Sequence, residues 1–257
     1  MISKTLKSLL LFVSLTILIQ IFYAVKTRTD FFSSTRYFPY GYAVHIAYYL
    51  SFLIVTFLFV GKFDFGAVGL KSVSSWRKYL LIGMLLALLG AGLKIVFLPG
   101  TFGQSFYTVP YYLLVPAFLV LGTLIAVAEE SAFRGYILKN FLEKYKPATA
   151  ILFASVLFGV YHINFPNLTY YTLSFWALYA TQALTGGLIM TSLFYKTGSN
   201  LVGSVAYHST NIIIGQIILW MPNVTASYVL AVEIGINIAL VVILKFLPIT
   251  VPNHNFD

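Results

Sequence analysis

Polar residues are the interruptions in this chain. Apolar runs fall at roughly 6–25, 42–60, 79–98, 113–138, 147–165, 171–194, 201–219 and 226–247, each bounded by charged or turn-forming residues. About 20 apolar residues at the helical rise span the hydrocarbon thickness of a bilayer, so the pattern predicts an all-α membrane protein with about eight transmembrane helices. The first run is too long for the apolar region of a cleaved leader and is not cleanly followed by a small-x-small site, so it reads as a retained helix. No repeat or low-complexity stretch breaks the series. The chain is read as one integral domain: N-terminal transmembrane helices over 1–112, a core over 113–219, and a C-terminal helix and tail over 220–257.

Composition agrees with this solvent. Of 257 residues, 60% are hydrophobic and 9% are charged, against roughly 25% charged in a soluble domain. The absence of cysteine excludes disulfides, thiolate nucleophiles, iron–sulfur clusters and thiolate zinc sites. A net charge of +9 would suit nucleic acid, but the basic residues sit between apolar runs. There they read as charge retained on one side of a membrane, with lipid and no nucleic acid as the partner. With the N-terminus placed in the cytoplasm, twelve Lys and Arg fall inside and four (Lys26, Arg28, Arg36 and Lys94) fall outside. The segments 99–112, 166–170 and 220–226 carry no Lys or Arg and all fall outside. A multi-pass protein with both termini cytoplasmic is therefore expected. The sequons Asn167-Leu-Thr169 and Asn223-Val-Thr225 fall in expected outer loops.

An ionisable side chain within a span costs about 2.5–3.5 kcal/mol on insertion scales and so marks a candidate site. The fourth run carries three, in Ala128-Glu129-Glu130-Ser131-Ala132-Phe133-Arg134. Glu130 and Arg134 have the i,i+4 spacing and the order that favours an ion pair. Glu129 projects about 100° away, which leaves one carboxylate held by the guanidinium and the other available as a general base. The fifth run contains Phe158-Gly159-Val160-Tyr161-His162, and the seventh contains His208-Ser209-Thr210-Asn211. Each alone fits a core histidine or a helix–helix hydrogen bond. Depth links them. At 1.5 Å per residue, Glu129 lies about 15 Å from Lys139, His162 about 22 Å from Pro147 and His208 about 14 Å from Ser199, all reaching one middle layer. A carboxylate, two imidazoles and an amide can together activate water and stabilise an oxyanion. His45, Glu233 and Asn237 are read mainly as interhelical hydrogen-bonding groups.

These residues resemble the motifs of the CAAX-protease and bacteriocin-processing (CPBP, or Abi) family of intramembrane proteases. Glu129-Glu130-x-x-x-Arg134, with its continuation to Leu138, is similar to the first motif, and Phe158-x-x-x-His162 to the second. Tyr195-Lys-Thr-Gly198-Ser199-Asn-Leu, followed by His208, is similar to the third. The resemblance covers roughly residues 120–215. It implies helices enclosing a cytoplasm-facing cavity, and a glutamic endopeptidase acting on a membrane-associated peptide or protein, as in CAAX prenyl endopeptidases. It also implies that Glu129 and His162 hold the water, that His208 and an Asn stabilise the oxyanion, and that Glu130, Arg134 and Phe158 shape the site. No cofactor is implied. A zinc peptidase with Glu129, His162 and His208 as ligands is the alternative, although the chain has no HExxH.

One position departs from the family pattern. The Asn usually follows the histidine by four residues, which here is Ile212, and Asn211 stands one residue earlier. Either Asn211 compensates through a local shift or the oxyanion hole lacks a donor, a loss that costs about 10²–10³ in rate elsewhere. The departure keeps open a non-catalytic membrane scaffold or immunity-type binding protein on the same fold. A proton-coupled transporter would use the same ionisable groups, but no inverted repeat accompanies them.

Overall fold

The structure is a computed structural model that describes residues 3–28, 38–70, 74–98, 111–165, 172–217 and 226–249. Both sequons and the C-terminal tail from 250 lie outside the described residues. The helices are α1 (Lys4–Arg28), α2 (Phe38–Val60), α3 (Trp76–Phe97) and α4 (Tyr111–Glu130). The last of these continues without a break into a π-helical segment (Ser131–Leu138) and a final turn, α5 (Lys139–Leu142). Then come α6 (Pro147–Tyr161), α7 (Leu173–Lys196), α8 (Val202–Ile217) and α9 (Ala226–Phe246), with no strand among the described residues. Counting α4 to α5 as one rod, each of the eight apolar runs becomes a helix, with ends displaced by a few residues.

Five of these helices are long and apolar enough to cross a membrane: α1, α2, α3, the α4–α5 rod and α9. The other three fall short in length or apolarity. α6 has 15 residues and α8 has 16, while α7 is flanked by α6, α8 and α9 and so meets protein over much of its surface. Helices lined by other helices do not need a continuous apolar coat. These are also the helices that carry His162 and His208.

Local signals explain the boundaries. α6 opens on Pro147, a residue preorganised for the first helical turn. At α7 the Thr172 hydroxyl accepts from the Phe175 N–H at 3.3 Å. Between α7 and α8, Gly198 (φ 70°) and Ser199 (φ 61°) turn the chain in the left-handed region, and the Asn200 side chain accepts from the Val202 N–H at 2.9 Å. The Thr-Gly-Ser-Asn run is thus a turn and a cap. The loop after α2 docks on this turn, where the Leu201 N–H donates to the Gly69 carbonyl at 2.9 Å.

Close approach of small residues sets the packing. A Cβ on Gly83 of α3 would collide with the Gly203 carbonyl and lie 2.9 Å from Ala206 Cβ, both on α8. Van der Waals fit at small residues is a main driving force between helices in lipid, where the hydrophobic effect contributes little. On α1, Leu11, Leu15 and Ile19 repeat every four residues, and all three are buried in one apolar cluster with Phe52 and Phe57 of α2 and Phe133 and Ile137 of the π segment. α1 is therefore part of the core.

The secondary polar groups bridge helices. Asn237 of α9 donates to the Gln182 carbonyl at 3.3 Å and meets the Thr185 hydroxyl at 3.2 Å, both on α7. His45 lies edge-on to Phe22, 5.1 Å between ring centroids. Glu233 pairs with Lys94 at 2.5 Å across α9 and α3. α3 runs on to Phe97, so Lys94 stays within the helix, and the buried ammonium is neutralised by a carboxylate that only the fold brings near.

Gly83→Ala is expected to destabilise the detergent-solubilised protein by about 1–3 kcal/mol, because α3 and α8 must part. Gly92→Ala, whose added Cβ meets nothing within 4 Å, should be neutral or slightly stabilising. Thermal unfolding checks both, and an unchanged midpoint for Gly83→Ala would argue against the close crossing.

Candidate active site

Glu129 and Glu130 end the regular part of α4, and the wider π turns begin at Ser131. Single π insertions in α-helices concentrate at functional sites. Here the segment is buried along most of its length, and Gly135 allows the backbone of Val68 to press directly against it. Within this frame Glu130 Oε1 accepts from Arg134 Nη1 at 3.0 Å and from His208 Nδ1 at 2.9 Å. The other guanidinium terminus, Nη2, donates to the Gly187 carbonyl of α7 at 3.2 Å. The guanidinium carbon also stands 4.3 Å from the Phe158 ring centroid. Neither Glu130 nor Arg134 has any exposed surface. Removing two charges from water costs several kcal/mol each, and these charge-assisted bonds offset that cost.

His208 is oriented by its bond to Glu130. The opposite nitrogen, Nε2, lies 3.8 Å from Glu129 Oε2, beyond hydrogen-bond length. Glu129 is 3% exposed, and its Oε2 is buried without a hydrogen-bond partner. His162 caps α6, with Nδ1 2.7 Å from the Phe158 carbonyl. A carbonyl can only accept, so Nδ1 carries the proton in that bond, and the neutral ring presents a lone pair at Nε2. The Phe158-x-x-x-His162 spacing is the spacing of this bond. The Phe158 ring lies 4.5 Å from the His162 centroid and 6.1 Å from that of His208, so one aromatic side chain touches both imidazoles and the guanidinium.

Glu129, Glu130, Arg134, Phe158, His162 and His208, from three separate rods, thus meet in one buried cluster. Asn211 lies three residues beyond His208 on the same helix. It is half-buried on α8, and none of the hydrogen bonds among the described residues involves its side chain. Ile212 packs towards α4, 3.4 Å from where a Cβ on Gly122 would sit. Among the described residues, no set of three or more His, Asp or Glu converges as metal ligands.

The cluster includes residues that the pattern of apolar runs did not single out. The Tyr49 hydroxyl of α2 faces the Glu129 carboxylate, and Tyr23, Tyr161 and Tyr179 lie within electrostatic range of it. The Tyr48 and Tyr161 hydroxyls meet at 2.7 Å. The chain has 19 tyrosines, spread over most helices, and nothing in their spacing separates these from the rest.

Arg134→Met is expected to destabilise the protein by about 3–5 kcal/mol, because it leaves the Glu130 charge buried without its cation. The double variant Glu130→Gln, Arg134→Met should lose less than Arg134→Met alone. Equilibrium or thermal unfolding in detergent tests this, and equal stability of Arg134→Met and the native chain would rule the ion pair out as a stabilising element.

No curated protein matches the chain. Residues 111–214, which contain Glu129, Glu130, Arg134, Phe158, His162, His208 and Asn211, match the family described as type II CAAX prenyl endopeptidase Rce1-like. Over that segment the chain is similar to CAAX-type membrane proteases, consistent with the CPBP family.

Proposed function

We propose that the protein is an intramembrane endopeptidase in which Glu129 and His162 activate water against a peptide bond near the membrane surface. The observation that carries this reading is the division of labour between the two adjacent carboxylates. Glu130 is committed through Oε1 to Arg134 and His208, while Glu129 makes no bond to the guanidinium and lies beside the same imidazole; the Oε2 of each is buried without a partner. A buried carboxylate without a cation of its own is the group suited to take a proton.

Glu129 accepts a proton from a water that His162 Nε2 also holds. The resulting hydroxide attacks the carbonyl carbon. The carbonyl oxygen becomes an oxyanion that receives hydrogen bonds from His208 Nε2–H, when that ring is protonated, and from the Asn211 amide. Collapse of the intermediate breaks the C–N bond, and Glu129 returns the proton to the leaving amine. The substrate is a membrane-associated peptide or protein with a prenylated CAAX-type C-terminus, reached from the cytoplasmic side, with no metal taking part. The replacement of the family Asn by Ile212 favours a second reading, a non-catalytic scaffold or immunity-type binding protein on the same fold.

Glu129→Gln is expected to lower turnover by about 10²–10⁴-fold while leaving the protein folded, since the amide is nearly isosteric but accepts no proton. The assay is release of the C-terminal tripeptide from a farnesylated CAAX peptide in proteoliposomes, followed by mass spectrometry. Activity should survive EDTA. Loss on chelation with recovery on added zinc would replace this mechanism with the metal-dependent one, and no cleavage by the native chain would favour the binding protein.

Asn211→Ala should depress kcat about 10²-fold with little change in KM, the signature of a contact made in the transition state. Native-like kcat per folded molecule would remove Asn211 from the site. For orientation, single cysteines at Ser3 or Asn255 should resist an impermeant thiol reagent applied from outside. Labelling there would reverse the topology and with it the cytoplasmic access.

A further inference from the structure

α6 has 15 residues, about 22 Å at the helical rise. That is short of the roughly 30 Å hydrocarbon core, so the chain leaves α6 at membrane depth. Irregular backbone at that depth persists only where protein satisfies its polar groups. Part of the exit is satisfied locally, with His162 N–H bonding the Gly159 carbonyl at 3.2 Å and Ile163 N–H the Val160 carbonyl at 3.1 Å. The next groups need a partner from elsewhere, and α1 supplies it. Gln20 Nε2 donates to the Ile163 carbonyl at 2.8 Å, and Gln20 Oε1 accepts from the Phe165 N–H at 3.0 Å.

One primary amide thereby takes the place of a neighbouring strand across the three residues that follow His162. The choice of side chain is constrained. The bridge needs a donor and an acceptor side by side on a stem long enough to cross between helices, and Gln meets both needs while remaining uncharged. The support behind it is fixed as well. Leu11, Leu15 and Ile19 bury the same helix, Asn140 donates to the Ser8 hydroxyl at 2.9 Å, and Lys4 pairs with Glu143 at 2.7 Å. The imidazole of His162 is held at Nδ1 by the Phe158 carbonyl, but its Cα position depends on the helix-capping backbone (φ −79°, ψ −5°) that leads into the bridged peptides.

We propose that Gln20 is a positioning residue for His162: its amide locks the exit of α6 and so sets where Nε2 points. Gln20 lies outside residues 111–214, so this function falls on a helix beyond the matched segment. The proposal rests on the reading of His162 as a water-holding base. Misplacement of a reacting group by about 1 Å can cost on the order of 10²-fold in rate, which sets the expected size.

Gln20→Met keeps the length and the absence of charge but removes both hydrogen bonds. Hydrogen exchange by mass spectrometry in nanodiscs should show faster exchange at the Phe165 amide, with exchange in α3 and α9 unchanged. On the farnesylated CAAX peptide, kcat per folded molecule should fall roughly 10- to 100-fold with KM within about twofold of native. Gln20→Asn, with the amide on a shorter stem, should move both readouts in the same direction by less, and it carries the test where the methionine variant does not accumulate. Unchanged Phe165 exchange would overturn the bridge. Faster exchange with native kcat would reduce Gln20 to a structural clip and leave the hydrolase reading intact. Should the native chain cleave nothing, the hydrolase reading fails and the positioning proposal falls with it, while the exchange result alone still judges the bridge.

Discussion

A buried carboxylate that serves a guanidinium and an imidazole at once is the contact on which the rest of this structure depends. Glu130 Oε1 takes the Arg134 and His208 bonds together, and Arg134 reaches onward to Gly187 and to the face of Phe158. Four helical rods are therefore registered by one charge cluster. In lipid no water can compensate a partner that drifts away, so the geometry is restrictive in a way that apolar packing alone would not be. The same bonds that make the cluster tolerable in the bilayer also leave Glu129 as the carboxylate without a cation of its own.

Backbone geometry follows from this demand. The π segment begins immediately after the two glutamates, and Gly135 lets the loop after α2 press against it. The Thr-Gly-Ser-Asn turn before α8 is tied by Leu201 to Gly69 in that same loop. A short stretch between α2 and α3 thus buttresses two site-bearing elements, the π segment and the start of the helix that presents His208.

The N-terminal helices are more than a membrane anchor. α1 reaches the end of α6 through Gln20 and the end of the α4–α5 rod through Ser8 and Lys4. α2 brings Tyr48 and Tyr49 to the cluster. These helices lie outside the matched segment, so the surroundings of the candidate site are built partly by residues that motif comparison does not reach.

Much was legible from the chain alone, for physical reasons. Bilayer thickness forces apolar runs of helical length, so eight helices could be read within a few residues at their ends. Insertion cost makes each intramembrane charge conspicuous, which singled out Glu129, Glu130 and Arg134. Helical spacing paired Glu130 with Arg134. Contacts between distant helices were not legible, because helical periodicity specifies a face and leaves the neighbour open. That Lys94 meets Glu233, that His208 bonds Glu130, that Ile212 turns towards Gly122 and that Gln20 closes the end of α6 were decided by the tertiary packing of the helices. The tyrosines around Glu129 belong to the same class. Their side chains are ordinary in a membrane helix, and only the tertiary arrangement of four helices gives them a carboxylate to face.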